Sequence, residues 1–235
     1  MALPKLQTPE YRLTLPSTQE EIKFRPFLVR EQKILMMAQE SGEEKQIVDA
    51  MGQLVSECTF NFVDANVYPM YDIEYVFLQL RAKSAGEKVK IQVLCPDDQK
   101  TYVEVEINLE DVGVQLNVEH SNVVNLTDDI KINFRYPLLK DIEGMKANVS
   151  DFDKMLHLIY VCIDNVSVGD EITNRVDMTK NEITEFVESF NSVQLEEVMN
   201  FFKSMPKVRH IIDVVNPETK VKGEVLLEGI ESFLV

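Results

Sequence analysis

In this chain of 235 residues the hydrophobic spacing switches twice from a helical period to a strand period. Apolar residues recur three or four apart from Phe27 to Leu80. They then alternate with polar residues through Val89-Ile91-Val93 and Val103-Val105-Ile107. The helical period returns at Phe152, Met155, Leu156, Ile159, Tyr160 and Ile163, and strand-like runs close the chain at Val208–Val215 and Val221–Leu227. A period near 3.6 gives an amphipathic helix, and a period of two gives a half-buried strand. Helices and strands in separate runs define an α+β class: helical bundles combined with antiparallel β-hairpins.

The ends of the elements are written in turn and cap residues. Tyr11, Leu13 and Leu15 alternate before Pro16-Ser17-Thr18, and Ile22-Lys23-Phe24 alternates after it, which predicts a hairpin or two edge strands. Pro26 suits the first turn of a helix carrying Phe27, Ile34, Leu35 and Ala38 inward and stopping at Ser41-Gly42. A second helix is predicted from Glu43 to Cys58, and a third from Pro69 to Gly86. Cys95-Pro96-Asp97-Asp98 marks a hairpin turn, and Val112–Val118 and Ile130–Phe134 are further strand candidates. Ser150-Asp151-Phe152-Asp153 and Thr179-Lys180-Asn181-Glu182 have the form of capping boxes. Between them, Val168–Val176 suits a short strand pair or an extended connector. A last helix, Val193–Met205, ends before Pro206.

The two late hairpins echo each other. Cys95-Pro96-Asp97 precedes a strand and then Leu109-Glu110-Asp111; Asn216-Pro217-Glu218 precedes a strand and then Leu227-Glu228-Gly229. Chance and two loosely related halves both account for this, because Pro-Asp and Pro-Glu are common turn pairs. The boundary is expected between residues 1–136 and 137–235, either as two regions or as parts of one compact unit.

Twenty-four Lys+Arg face forty Asp+Glu, a net charge of −16. That disfavours sequence-independent binding to DNA or RNA, where Lys and Arg neutralise phosphates, and docking on an anionic membrane. No run approaches the length of a membrane span, and the first residues have no signal-peptide core, so a soluble intracellular protein is expected. Three cysteines are too few for a disulfide scaffold.

The chemistry of common sites is missing from the sequence. Eight dispersed glycines supply no phosphate-binding loop, and there is no nucleophile elbow. His120, His157 and His210 lie far apart, with no companion motif; His157 reads as a helix-face residue. Cys58 and Cys162 fall on apolar helix faces and read as small buried hydrophobes. Cys95 occupies a place where a zinc knuckle holds a ligand, but no C-x-x-C partner follows it. Paired acids such as Asp97-Asp98 lack EF-hand spacing and fit a solvated face. Methionines on helical faces, among them Met36, Met37 and Met51, suit either core packing or an adaptable partner surface. No catalytic residue, metal or cofactor is expected.

Several stretches together carry a family likeness: Met1-Ala2-Leu3-Pro4-Lys5, Tyr11–Thr18, Ile22-Lys23-Phe24-Arg25-Pro26-Phe27-Leu28-Val29-Arg30-Glu31, Tyr71–Ser84, and Cys95-Pro96-Asp97-Asp98. The chain resembles the T4-like bacteriophage baseplate hub subunits and hub-assembly proteins, most strongly over residues 1–110. The resemblance implies a late viral protein made in the bacterial host cytoplasm, without enzymatic activity or cofactor. It would act in building the baseplate hub, as a subunit of the virion tail or as an assembly factor that leaves. Its partners would be other phage hub and tail proteins. Terminal segments with apolar side chains can add a strand or an anchor to a neighbour. The expected contact residues are therefore Tyr11, Phe24, Arg25, Phe27 and Arg30 in the N-terminal segment and Phe233 and Leu234 in the tail. A small enzyme, or an acidic module that sequesters a basic partner, is the alternative.

Overall fold

The computed structural model of the protein describes residues 6–142 and 150–233. The chain opens with strands β1 (Tyr11–Thr14) and β2 (Glu21–Phe24), paired antiparallel with Leu13 opposite Ile22. Alternation puts Leu13, Leu15, Ile22 and Phe24 inside. Three helices follow: α1 (Val29–Ser41), α2 (Glu44–Cys58) and α3 (Met70–Ala85). Gly42 ends α1 at φ 67°, the left-handed conformation that lets a chain leave a helix without a Cβ clash. Next come β3 (Lys88–Leu94) and β4 (Tyr102–Asn108), then a 3-10 turn at Leu109–Asp111 and a short strand β5 (Gly113–Gln115).

The second run comprises β6 (Val123–Asn125), β7 (Ile130–Phe134), α4 (Leu139–Ile142), α5 (Asp151–Cys162), β8 (Ile163–Val168), β9 (Glu171–Asn174), α6 (Lys180–Glu188) and α7 (Ser192–Ser204). Strands β10 (Lys207–Val215) and β11 (Lys222–Glu228) and a final 3-10 turn at Ile230–Phe233 close the described chain. All strand pairs are antiparallel, in sheets β1-β2, β3-β4, β11-β10-β5 and β6-β7-β8-β9. The α+β class follows.

The chain divides into two compact units, residues 1–115 with 207–235, and residues 116–206. These limits differ from a division at residue 136. The reason is β-pairing: β10 adds to β5 through Val208 opposite Val114, which returns the last hairpin to the first unit. The first unit's core contains Leu15, Leu54, Ile73, Phe77, Leu80, Leu109 and Phe233, all fully buried. The second has its own core of Ile132, Phe134, Ile159, Ile163, Val198, Phe201 and Phe202. Phe134 stacks on Phe201 at 5.0 Å, and Phe202 meets Phe201 edge-on at 4.9 Å.

Two local expectations change. The α5 stripe stops at Cys162, and Ile163 already belongs to β8, so the strand pair expected at 168–176 begins five residues earlier. Between Val112 and Val118 only Gly113–Gln115 pairs as a strand.

Candidate functional site

The N-terminal candidates meet where β2 runs into α1. Phe24 is 2% exposed and packs in the core beside Tyr11, whose ring lies 5.5 Å away. Arg25 turns its guanidinium inward. Its Nη2 donates to Glu31 Oε1 at 2.9 Å, its Nη1 donates to the Pro26 carbonyl at 3.1 Å, and its backbone amide donates to the Cys58 carbonyl at 3.0 Å. The Glu31 side chain is fully buried. It also accepts from Arg30 Nε at 2.6 Å and from the Leu28 amide at 2.7 Å. Burial alone pushes the Glu31 carboxyl up; the bonds from Arg30, Arg25 and the Leu28 amide outweigh it and hold the group down to about 2. One carboxylate thus caps the start of α1 while one arginine joins that start to the end of α2.

The same clamp is built a second time. Phe24-Arg25-Pro26-Phe27-Leu28-Val29-Arg30-Glu31 corresponds to Phe134-Arg135-Tyr136-Pro137-Leu138-Leu139-Lys140-Asp141. Arg135 Nη2 donates to Asp141 Oδ1 at 3.0 Å and its Nη1 to Oδ2 at 2.7 Å, while the Leu138 amide donates to Oδ2 at 2.8 Å. Arg135 Nη1 also bonds the Tyr136 carbonyl, and the Arg135 amide bonds the Cys162 carbonyl at 2.9 Å, at the end of α5. Each clamp follows a buried phenylalanine at the end of a hairpin's second strand, and each ties the chain to a cysteine that ends a helix.

The late hairpins match as well. Gln99 donates its amide to the Cys95 carbonyl at 3.0 Å, and Lys220 to the Asn216 carbonyl at 2.9 Å. Both residues sit at positive φ, 52° and 64°. The two tips touch within the first unit. Asn216 Nδ2 donates to Asp97 at 3.0 Å and to Asp98 at 3.0 Å, and Thr219 Oγ1 donates to Asp97 at 2.5 Å. Asn216 is 1% exposed, and a Cβ at Gly223 would stand 2.6 Å from Pro96 Cγ. Bonds from Thr101 and Thr219 hold the Asp98 and Asp97 carboxyls below their ordinary range. Cys95 is buried at this tip, and among the described residues no group of three or more His, Cys, Asp or Glu is arranged to hold a metal ion.

The remaining candidates separate by exposure. Phe233 is fully buried, and its carbonyl accepts from Arg81 Nη1 at 2.6 Å, so its ring belongs to the core; Leu234 lies outside the described residues. Phe27 is half-buried, with its amide bonded to Ser84 Oγ at 2.9 Å. Tyr11 is half-buried, with Lys83 Nζ over its ring at 5.5 Å. Arg30 remains on the surface, 68% exposed. Phe24, Arg25 and Phe233 could reach a partner only if the first unit opened. Hydrophobic alternation was the available sign for Phe24, and it marks core more often than contact.

Other side chains are exposed as well, among them two of the methionines that suit a partner surface. On α1, Val29 stands out together with Met36 and Met37, both about two turns along from it. In the second unit, Ile172 lies open on β9, and a cleft of about 240 Å³ is lined by Val166, Thr173, Asp177, Met178, Ile183 and Phe186, with Glu182. His157 and His120 are held by packing and hydrogen bonds in the second unit. His157 Nε2 lies 2.9 Å from the Asp141 carbonyl, and His120 packs against Tyr136 and Phe201 at 5.6 and 5.0 Å.

The profile of the family described as T4 bacteriophage base plate protein matches residues 8–235. The chain belongs to that family. The match covers both clamps and both late hairpins, so the repeated parts of this base plate protein all lie within the family's span. No curated protein and no solved structure matches it. A base plate protein has a structural place in the phage tail, among other tail proteins. Among the described residues, no helix is long and apolar enough to cross a membrane.

Proposed function

We propose that this base plate protein works in assembly of the baseplate hub, without enzymatic activity, by holding hub subunits through protein–protein contacts. It acts as a built-in subunit or as an assembly factor, starting in the host cytoplasm. The observation that carries this reading is the family match across residues 8–235. The geometry supports it in a second way. Two separate cores, each locked by an arginine–carboxylate clamp, make firm supports for surface contacts.

The N-terminal contact surface in this reading is the outer face of α1, where Val29, Met36 and Met37 are exposed beside Arg30. Methionine is unbranched and polarizable, so it adapts to a partner's shape, and arginine at the rim adds directed hydrogen bonds. Among the described residues, Tyr11, Phe27 and Arg30 are the members of the expected contact set that a partner reaches without unfolding the first unit.

The test is affinity capture of the tagged protein from infected cells, with mass spectrometry of the captured proteins and of purified virions. Hub proteins in the capture, with the bait in virions, identify a subunit. The same capture with the bait missing from virions identifies an assembly factor. A capture without any tail protein overturns the proposal.

A further inference from the structure

Among the described residues, the four-stranded sheet of the second unit ends at β9, and all four residues of that strand, Glu171-Ile172-Thr173-Asn174, are exposed. Such an edge offers unpaired backbone N–H and C=O groups to any extended chain. Proteins that must avoid this place lysine, proline or a bulge there. β9 has no lysine and no proline, and its pairing with β8 runs without a register shift from Val168 opposite Glu171 to Asn165 opposite Asn174. Ile172 is 64% exposed.

Beside this edge lies the cleft of about 240 Å³. Its floor is apolar: Val166, Met178, Ile183 and Phe186. Thr173 reaches it from β9, and Asp177 and Glu182 supply two carboxylates. Glu182 accepts hydrogen bonds from the Thr179 amide and hydroxyl, both at 2.7 Å, which hold its carboxyl below the ordinary range and keep it charged. Residues 164–188 contain seven carboxylates, Asp164, Asp170, Glu171, Asp177, Glu182, Glu185 and Glu188, against Arg175 and Lys180. An apolar slot beside an open strand edge, in an acidic setting, matches one kind of partner: an extended segment in which Lys or Arg stands next to apolar residues.

We propose that β9 is a strand-acceptor edge for such a basic, apolar segment of a partner chain. The segment adds antiparallel or parallel to β9 as a fifth strand. One apolar side chain enters the slot beside Thr173, and a neighbouring cation meets Asp177 and Glu182. This assignment rests on the reading that the protein works by binding tail partners, and it names the chemistry of one of them.

The experiment places a photo-crosslinking benzoylphenylalanine at Ile172 in the full chain and maps its adducts in infected cells. In parallel it captures partners with Ile172→Lys/Asp177→Lys and with Ile172→Val. The expected adduct is a partner peptide with Lys or Arg beside an apolar residue. Capture of that partner should fall at least about tenfold in the double lysine variant, stay near wild type with valine, and weaken as salt rises to about 0.5 M. Both positions are exposed, and a thermal melt matched to wild type shows that the fold is kept. An adduct on an acidic segment, or full capture of every tail protein by the double variant, overturns the strand-acceptor assignment alone. Wild type that captures no tail protein overturns the binding reading and this assignment with it.

Discussion

Replacing Glu31 with Gln tests the first clamp most directly. The carboxyl titrates near 2 in the fold. Its open-chain value is about 4.5, so the ionised group contributes about 3 kcal/mol at neutral pH. One of its partners, Arg30, is 68% exposed, and solvent screens that share, which brings the figure to about 2–3 kcal/mol. The substitution would also leave the Arg25 guanidinium, 11% exposed, without its counter-charge. Because the folded value is depressed, the stabilisation is fully present above the open-chain value and is lost as pH falls through about 4.5 towards 2. Glutamine mimics the protonated acid, so the gap between wild type and Glu31→Gln should be largest at pH 7 and shrink to roughly half by pH 3. Urea unfolding followed by amide exchange over residues 25–58 reads the first unit separately, and comparing the two proteins at matched pH cancels the intrinsic exchange rate. A gap that stays constant from pH 7 to pH 3 refutes the clamp, as does a Glu31→Gln protein of wild-type stability at pH 7.

Asp141→Asn breaks the second clamp. With Arg135 32% exposed, it should destabilise residues 116–206 by about 2–3 kcal/mol while exchange in residues 25–58 stays unchanged. Gly223→Ala brings a Cβ to 2.6 Å from Pro96 Cγ and should cost about 1–3 kcal/mol, read as earlier urea unfolding of the paired hairpins. Asn216→Asp removes the donor that Asp97 and Asp98 share and sets a third carboxylate against them; it should destabilise the first unit by about 2 kcal/mol or more at pH 7 and recover in part near pH 4. Burial lowers the His120 pKa, which the Asn122 side chain opposes more weakly, and Nε2 is buried without a partner among the described residues. The unfolded state therefore binds the proton first, so stability should fall as pH drops below about 6.5, and His120→Phe should flatten melting temperature against pH in that window.

Most of the helices and both late hairpins are legible in the periodicity, because one face of each is buried and the pattern must follow it. Thr179 and Glu182 form the capping box that their spacing announces. Three things are not legible. β6 is three residues long and shows no alternation to find. The start of β8 at Ile163 is hidden because that residue also continues the helical stripe of α5; burial of Ile163 satisfies both patterns, and only the pairing with β7 chooses between them. Likewise, nothing local in Lys207-Val208-Arg209 shows that β10 finds β5 across some ninety residues. Two of the contact candidates, Phe24 and Phe233, lie inside for a related reason. An apolar residue in a terminal segment has the same sequence signature whether it anchors a partner or fills its own core, as Phe24 and Phe233 do.

The echo between Cys95-Pro96-Asp97 and Asn216-Pro217-Glu218 acquires a physical basis once the clamps are compared. A shared turn pair alone is weak. Here the likeness extends to a hairpin, a buried phenylalanine, an arginine bound to an acid six residues on, a helix ended by cysteine, and a later helix feeding a second hairpin and a 3-10 turn. Chance does not favour so many features in one order, so two related halves are the better account of the pattern. The compact units nevertheless do not coincide with the halves, because the second half's last hairpin folds in the first unit, where Asn216 bonds Asp97 and Asp98. In the second half, β8, β9 and α6 stand between the helix that ends in Cys162 and the helix that leads to the last hairpin. The first half has only the loop 59–69 at that place. The open edge at β9 and its cleft are therefore features that one half adds to the shared plan. If that addition serves partner binding, replacing residues 163–189 with a short loop would be too disruptive to read, since Ile163, Ile183 and Val187 belong to the core. Lysine at Ile172 and Asp177 separates the surface from the core, and its effect on partner capture decides whether the added elements carry the contact.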